Sequence, residues 1–195
     1  MNIWFATNNS HKKEELASIL KTNLKIPAEE GYTFDPDETG KTFCDNALIK
    51  ASELHKLLGN NEPVIADDSG LCVDGLDGRP GVLSARYGME SGKKLSSYEQ
   101  NIMLLEELAD NPVRSARFVC AMVLFFNSNR FVVVQETLEG QIVKKSEMRG
   151  DKGFGYDPVF FVQEFNRTLA ELSANEKNDI SHRGKAGRLI SKLLI

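Results

Sequence analysis

Apolar and polar positions along the chain follow two periods. Short runs rich in Val, Ile and Phe read as strands, and apolar residues three and four apart read as helices. Asn2 to Ala6 predicts a first buried strand. The polar stretch Thr7-Asn8-Asn9-Ser10-His11-Lys12 follows, and Leu16, Ile19 and Leu20 then fall at helical spacing, with Glu14 and Glu15 in the first turn. A second helix is predicted from Thr42 to about Leu58, with Phe43, Ala47, Ala51, Leu54 and Leu58 as its buried stripe. Asn46, Lys50 and Glu53 share another face of it. Val64 to Ala66 predicts a strand that gives way to a loop at Asp67 and Asp68. A third helix spans Ser96 to Ala109, with Tyr98, Ile102, Leu105 and Leu108 as its stripe. Arg117 to Phe126 and Phe131 to Leu138 read as a hairpin around Asn127-Ser128-Asn129. Both of its strands are apolar on both faces, which makes them central, or packed by one face on a second subunit. A strand at Val159 to Val162 and a last helix with Ala186, Leu189, Ile190 and Leu193 buried complete the pattern.

Composition narrows the picture. A length of 195 residues fits one domain, or one domain with a lobe. A net charge of −4 argues against general nucleic-acid affinity, so any polyanion site must be local. Cys44, Cys72 and Cys120 have no metal-ligand spacing and read as reduced thiols, which implies a reducing compartment. No signal-peptide pattern opens the chain, and no apolar run approaches the ~18 residues of a membrane span, so neither export nor a membrane partner is expected.

Four stretches carry chemistry. In Asp67-Asp68-Ser69-Gly70 the two carboxylates leave a strand on opposite faces, so one can meet an ion or a water while backbone donors hold the other. Carboxylates there suit Mg²⁺, which takes oxygen ligands. Thr7 to Lys12, between a strand and a helix start, suits a phosphate through backbone N–H groups, the Lys12 charge, and hydrogen bonds from Thr7 and Asn9. It lacks the glycines of a Walker loop. In Gly153-Phe154-Gly155-Tyr156-Asp157-Pro158 two glycines free the backbone, aromatics offer a face for a nucleobase, and Asp157 can accept a hydrogen bond from a base or sugar. His182 and Arg183, near a helix start, are donors suited to a carbonyl or phosphate oxygen. Each stretch also has a plain structural reading: a solvated turn, a capped helix, an aromatic turn, a structural cap. Lys50 and Glu38 equally read as a surface lysine and a loop carboxylate. Together they describe a pocket for a nucleoside triphosphate.

The chain also resembles the Ham1-type family, the inosine triphosphate pyrophosphatases that act on nonstandard purine nucleoside triphosphates. The resemblance runs from about Ile3 to Leu194. It is carried by Thr7 to Lys12, Glu38 to Phe43, Asn46-Ala47, Lys50-Ala51, Ala66 to Gly70, Pro80-Gly81, Ser84 to Tyr87, Gly153 to Pro158 and Ser181 to Gly184. It implies an α/β fold: an elongated mixed β-sheet flanked by helices, in a single domain of two lobes around a central substrate cleft. It further implies a homodimer, a cytoplasmic setting, and Mg²⁺-dependent hydrolysis of ITP, dITP and XTP to the monophosphate and pyrophosphate.

Carried over by position, Thr7, Asn8, Asn9, Ser10, His11, Lys12 and Lys50 would hold the triphosphate. Glu38 and Asp68 would bind metal with Asp67 beside them, and Asp68 would be the general base. Ser69 would contact substrate. Phe154 would stack on the base near Gly155, Tyr156 and Asp157, while Lys177, His182 and Arg183 would read the purine. The departures from the family pattern are Asp45 in place of a common Glu, Leu83 in place of a common aromatic, and the segment Arg86 to Gly92. A phosphohydrolase that releases orthophosphate and a catalytically silent nucleotide sensor are the competing readings. Intact Lys12, Glu38, Asp67 and Asp68 speak against the second.

Overall fold

The structure is a computed structural model and describes residues 3–89 and 95–194. Asn2, where the first predicted strand begins, and Glu90 to Gly92 of the departing segment lie outside them. The strands are β1 (Ile3–Phe5), β2 (Leu24–Lys25), β3 (Val64–Val73), β4 (Ser115–Asn127), β5 (Arg130–Ile142), β6 (Phe160–Val162) and β7 (Arg167–Thr168). Among the described residues they form one mixed sheet in the order β2-β1-β3-β4-β5-β6-β7. β1 runs parallel to β2 and to β3, with Trp4 opposite Val64 and Phe5 opposite Ile65. β6 is antiparallel to both of its neighbours. The helices are α1 (Ser10–Leu20), α2 (Phe43–Leu57), α3 (Ser97–Leu108), α4 (Ala174–Ile180) and α5 (His182–Ser191). The mixed sheet with flanking helices expected from the sequence is observed. No helix among the described residues is long and apolar enough to cross a membrane.

Contacts divide the chain into two units. The first comprises Met1–Ser69, Cys120–Glu136 and His182–Ile195, and the second Gly70–Val119 and Thr137–Ser181. In the first, strand alternation sorts the core into two layers. Ile3, Phe5, Ile65, Cys120, Met122 and Leu124 pack with Leu16 of α1 and with Ala186 and Ile190 of α5. Trp4, Ala6, Val64, Ala66, Val123 and Phe125 point the other way and pack with Ala47, Ala51 and Leu54 of α2. In the second unit Leu71 and Val73 join Leu104, Leu105 and Leu108 of α3 with Phe118, Leu138, Val159 and Phe160.

Several expectations are corrected. β3 does not end at Asp67; it continues through Asp67, Asp68, Ser69 and Gly70 to Val73. Ladder pairing, not the turn preference of Asp-Ser-Gly, decides the local backbone there. α1 begins at Ser10, so Glu14 and Glu15 lie beyond its first turn. α3 turns Leu104, Leu105 and Leu108 inward together with Gln100 and Asn101, and leaves Tyr98 62% exposed. Its buried face is thus part polar, which an apolar count misplaces. The hairpin joins at Ser128–Asn129 as expected, but Phe131 and Val132 of β5 are exposed in the single chain while β4 is buried from Phe118 to Phe125. Leu189 and Leu193 are exposed, and Ala186 and Ile190 carry the inner face of α5. Glu53 points to solvent, where Lys56 pairs with it at 3.2 Å, instead of joining Asn46 and Lys50.

The burial of α2 yields a direct check. Leu54 is fully buried, whereas Leu57, less than a turn away, is 43% exposed. Leu54→Ala should lower unfolding free energy by about 2–5 kcal/mol and Leu57→Ala by less than about 1 kcal/mol. Urea unfolding of both variants checks this; equal losses would put the wrong face of α2 on the sheet.

Candidate active site

The same alternation that builds the first unit's core separates its two carboxylates. Asp67 continues the row of Ile65 and so faces α1 and α5, while Asp68 continues the row of Val64 and Ala66 and faces α2. On the first side, Lys12 Nζ donates to Asp67 Oδ1 at 3.1 Å. Arg183 donates to Asp67 Oδ2 through Nε at 3.2 Å and Nη2 at 3.1 Å, and Nη2 also reaches Ser69 Oγ at 2.9 Å. Arg183 Nη1 donates to Glu15 of α1. The close approach of α1 and α5 makes this reach possible. A Cβ at Gly187 would lie 2.9 Å from Ile19 Cγ2 and 3.2 Å from Leu16 Cδ1. The Cys120 thiol lies beneath, 3.9 Å from Asp67 Oδ2.

On the other side, Asn46 Nδ2 donates to Asp68 Oδ2 at 3.1 Å and Lys50 Nζ to Asp68 Oδ1 at 3.2 Å. Lys50 Nζ also pairs with Glu38 at 3.0 Å. These partners come from one face of α2, whose start is fixed by a capping box in which Asp45 accepts from the Thr42 N–H. The Asp that departs from the family pattern therefore still caps this helix. Asn46 Oδ1 accepts the Gly40 N–H at 2.8 Å, which ties the loop after Glu38 to the same helix.

The two carboxylates consequently differ in charge behaviour. Burial alone would raise Asp67, but the Lys12 ammonium and the Arg183 guanidinium outweigh it and hold the carboxyl well below the usual range. At Asp68 burial wins over Lys50, Lys12 and Asn46, and the carboxyl is raised. Burial lowers Lys12. Lys50 is raised because Asp68, Asp67 and Glu38 together outweigh its burial. The Cys120 thiol is pushed up to about 12 by burial, with the Asp67 charge adding to it, and so stays protonated. The expectation that backbone donors would hold one of the aspartates is corrected: side chains from α1 and α5 hold Asp67.

The remaining first-unit candidates sit at the start of α1. Thr7 Oγ1 accepts the Asn9 N–H at 3.1 Å, and Asn9, the N-cap, accepts the Lys12 N–H at 3.2 Å. Asn8 donates to the Phe34 carbonyl. Ser10 and His11 are exposed in the first turn. His182 opens α5 and is buried.

In the second unit, Gly153 to Asp157 forms a tight turn. Asp157 Oδ2 accepts the Phe154 N–H at 2.8 Å and the Lys177 ammonium at 2.7 Å. Lys177 Nζ lies 4.6 Å from the Phe154 ring centroid, a cation–π distance. Gly153 has φ +77°, and a Cβ there would collide with the Asp157 carboxylate. The Tyr156 hydroxyl donates to the Ser84 carbonyl at 2.9 Å, so this aromatic is a buried strut and Phe154 keeps the half-open position.

A model described as the Ham1 family matches residues 3–193. The chain belongs to the Ham1 family. A dITP/XTP pyrophosphatase of Treponema denticola is 48% identical over all of this chain and 98% of its own length. One of Bacillus subtilis is 43% identical over 97% of this chain and 94% of its own length. Among solved structures, a HAM1 protein from Coxiella burnetii matches with a TM-score of 0.87 at 40% identity, covering 100% of this chain and 98% of that one. The Ham1 protein of Staphylococcus aureus matches with a TM-score of 0.86 at 37% identity over the same shares.

Within this Ham1 chain the sequence points to Lys12, Lys50, Glu38, Asp67, Asp68, Ser69 and Arg183, and the fold gathers them into two clusters on opposite faces of β3: Lys12, Asp67, Ser69 and Arg183 on one, Glu38, Lys50 and Asp68 on the other. In sequence Glu15 reads only as a helix-start carboxylate and Cys120 only as a reduced thiol, neither as part of the site. Glu15 lies three residues from Lys12 on α1, a spacing that could have flagged it. Nothing local marks Cys120, which arrives through strand pairing.

Because the folded Asp67 is depressed, its stabilising contribution is complete above the unfolded value of about 3.9 and is lost as pH falls below it. In the metal-free protein, Asp67→Asn should flatten the fall in unfolding free energy below about pH 4, by up to ~1.4 kcal/mol per pH unit. Equal slopes for the two proteins in denaturant titrations would place Asp67 outside the ion network.

Proposed function

We propose that this chain hydrolyses ITP, dITP and XTP to the monophosphate and pyrophosphate, and so removes them from the nucleotide pool. The observation that carries the reading is the division of labour between adjacent carboxylates. Asp67 is spent on Lys12 and Arg183, while Asp68 is raised and held by Asn46 and Lys50. A buried, raised carboxylate beside ammonium groups is the arrangement expected of a base working on a polyanion. The dITP/XTP pyrophosphatase names of the relatives support the same substrate class.

The chemistry follows from the residues. Asp68 takes a proton from water as its oxygen attacks the α-phosphorus. The bond to the bridging oxygen breaks, and pyrophosphate leaves with the electron pair. Lys12 and Lys50 stabilise charge on the leaving group, and the α1 start offers backbone N–H groups to the phosphates. The donor set suits Mg²⁺, which binds through one or two carboxylates plus phosphate oxygens. Among the described residues no group of three or more His, Cys, Asp or Glu is arranged as a metal cage, and Glu38 and Asp68 converge on Lys50 as such a pair. We assign them as its ligands, with Asp67 behind; Mg²⁺ would supply charge neutralisation on the phosphate oxygens.

In the second unit Phe154 would carry the base, with Lys177 and Asp157 against it. Within this unit Lys177, 4.6 Å from the Phe154 ring centroid, is the donor proposed for a 6-oxo group. Adenine presents a donor at that position, and an unpaired donor costs about 1–3 kcal/mol, which disfavours ATP. A homodimer in a reducing, cytoplasmic setting completes the reading.

Turnover of ITP, XTP, GTP and ATP with Mg²⁺, with pyrophosphate and orthophosphate quantified separately, tests it. Pyrophosphate from ITP and XTP, with little from ATP or GTP, is the expected result. Asp68→Asn should cut kcat by about 10²–10⁴-fold. Orthophosphate as product, equal rates on all four nucleotides, or an active Asp68→Asn enzyme would sink the corresponding part of the proposal.

A further inference from the structure

The buried face of α3 contains two side-chain amides where apolar residues would pack at lower cost. Gln100 Nε2 donates to the Tyr87 carbonyl at 3.1 Å and so braces the segment that also receives the Tyr156 hydroxyl at Ser84. Asn101 is 2% exposed, and its Nδ2 donates to the Gly155 carbonyl at 3.0 Å. Gly155 follows Phe154 directly and has φ +62°. The other half of the amide is unspent: Asn101 Oδ1 is buried with no hydrogen-bond partner among the described residues. A cavity of about 350 Å³ opens at this place, lined by Asn101, Tyr98, Lys152, Phe154 and Gly155 among others. Burying an amide with one oxygen unpaired disfavours folding. The residue is therefore poorly explained by packing, and its one firm contact goes to the turn that carries Phe154.

We propose that Asn101 is a positioning residue for the base platform: its amide anchors the Gly155 carbonyl and, with the Asp157 hold on the Phe154 N–H, brackets the backbone that orients the Phe154 ring. The proposal rests on the reading of Phe154 as the surface that stacks on the purine. Asp157 holds this turn from the Phe154 N–H side and Asn101 holds it from the Gly155 carbonyl side. With both anchors the peptide between them has little freedom, and the ring is presented in one orientation without reordering on binding. With Asn101 removed the turn keeps its Asp157 anchor, so the chain folds but the ring is less well placed.

A double-mutant cycle tests this with ITP as substrate and Mg²⁺ present. Asn101→Ala should raise KM roughly ten-fold, the worth of one buried hydrogen bond, and leave kcat within about two-fold. In a Phe154→Ala background the same change should add almost nothing, because the group it positions is gone. Asn101→Asp, which is nearly isosteric but loses the donor, should behave as Asn101→Ala. A role confined to stability would lower the apparent kcat with KM unchanged, and an effect on binding that does not pass through Phe154 would raise KM by the same factor in both backgrounds; either result overturns the proposal. If Phe154→Ala itself leaves KM unchanged, the base-platform reading falls and the proposal falls with it. If only Asn101→Ala is silent, the reading of Phe154 stands and the role of Asn101 alone is refuted.

Discussion

The first unit depends on one buried ion network, centred on Asp67. Bringing a carboxylate, an ammonium and a guanidinium out of water costs several kcal/mol per ion, and mutual attraction returns that only where the geometry is good. Here it is met by Lys12 from α1, Arg183 from α5, Ser69 on the same strand and Glu15 on the far side of the guanidinium. Such a network is poor value as a stabiliser, since an apolar cluster would do as well. What it secures is placement. Two helices distant in sequence are tied to one strand residue, and Lys12 is held at a helix start where it can meet a phosphate.

Pleat geometry then gives the neighbouring residue a different environment at no further cost. Successive strand residues point to opposite faces. Asp68 therefore belongs to the α2 side, where Asn46 and Lys50 project one turn apart. Two carboxylates joined by one peptide bond are driven in opposite directions, one locked as an anion and one raised. Assigning acid and base roles by environment is a general device of active sites. In this chain the opposite shifts of the two carboxylates follow from a two-residue period and the helices that pack on each face.

The second unit braces the turn that carries Phe154. It does so with side-chain amides, a hydroxyl and the buried Asp157–Lys177 ion pair. Asp157, Lys177, Tyr156, Gln100 and Asn101 each hold a main-chain or side-chain atom of the 84–87 and 153–157 segments. The 153–157 segment contains two positive-φ glycines, Gly153 and Gly155, and would be loose without such anchors. Buried polar groups inside an otherwise apolar face of α3 are the signature of that bracing.

Much of the fold was legible in the sequence because periodicity and capping are local. The strands at β1, β3 and the β4–β5 hairpin, the extents of α2 and α3, and the family motifs were all readable from residue order. The Asp-Asp pair, Lys12, Lys50 and the Gly-Phe-Gly turn also stood out in residue order, since they are unusual neighbours. Residue order did not decide where β3 ended, which face of α3 was buried, or which partner each carboxylate took. The strand runs through Asp67-Asp68-Ser69 because ladder pairing outweighs turn preference, and pairing is a property of strands far apart in the chain. Glu15, Cys120 and Asn101 acquired meaning only when α1, β4 and α3 were packed. Their signals are single polar residues on otherwise ordinary elements, and only tertiary contact distinguishes such a residue from a solvated one.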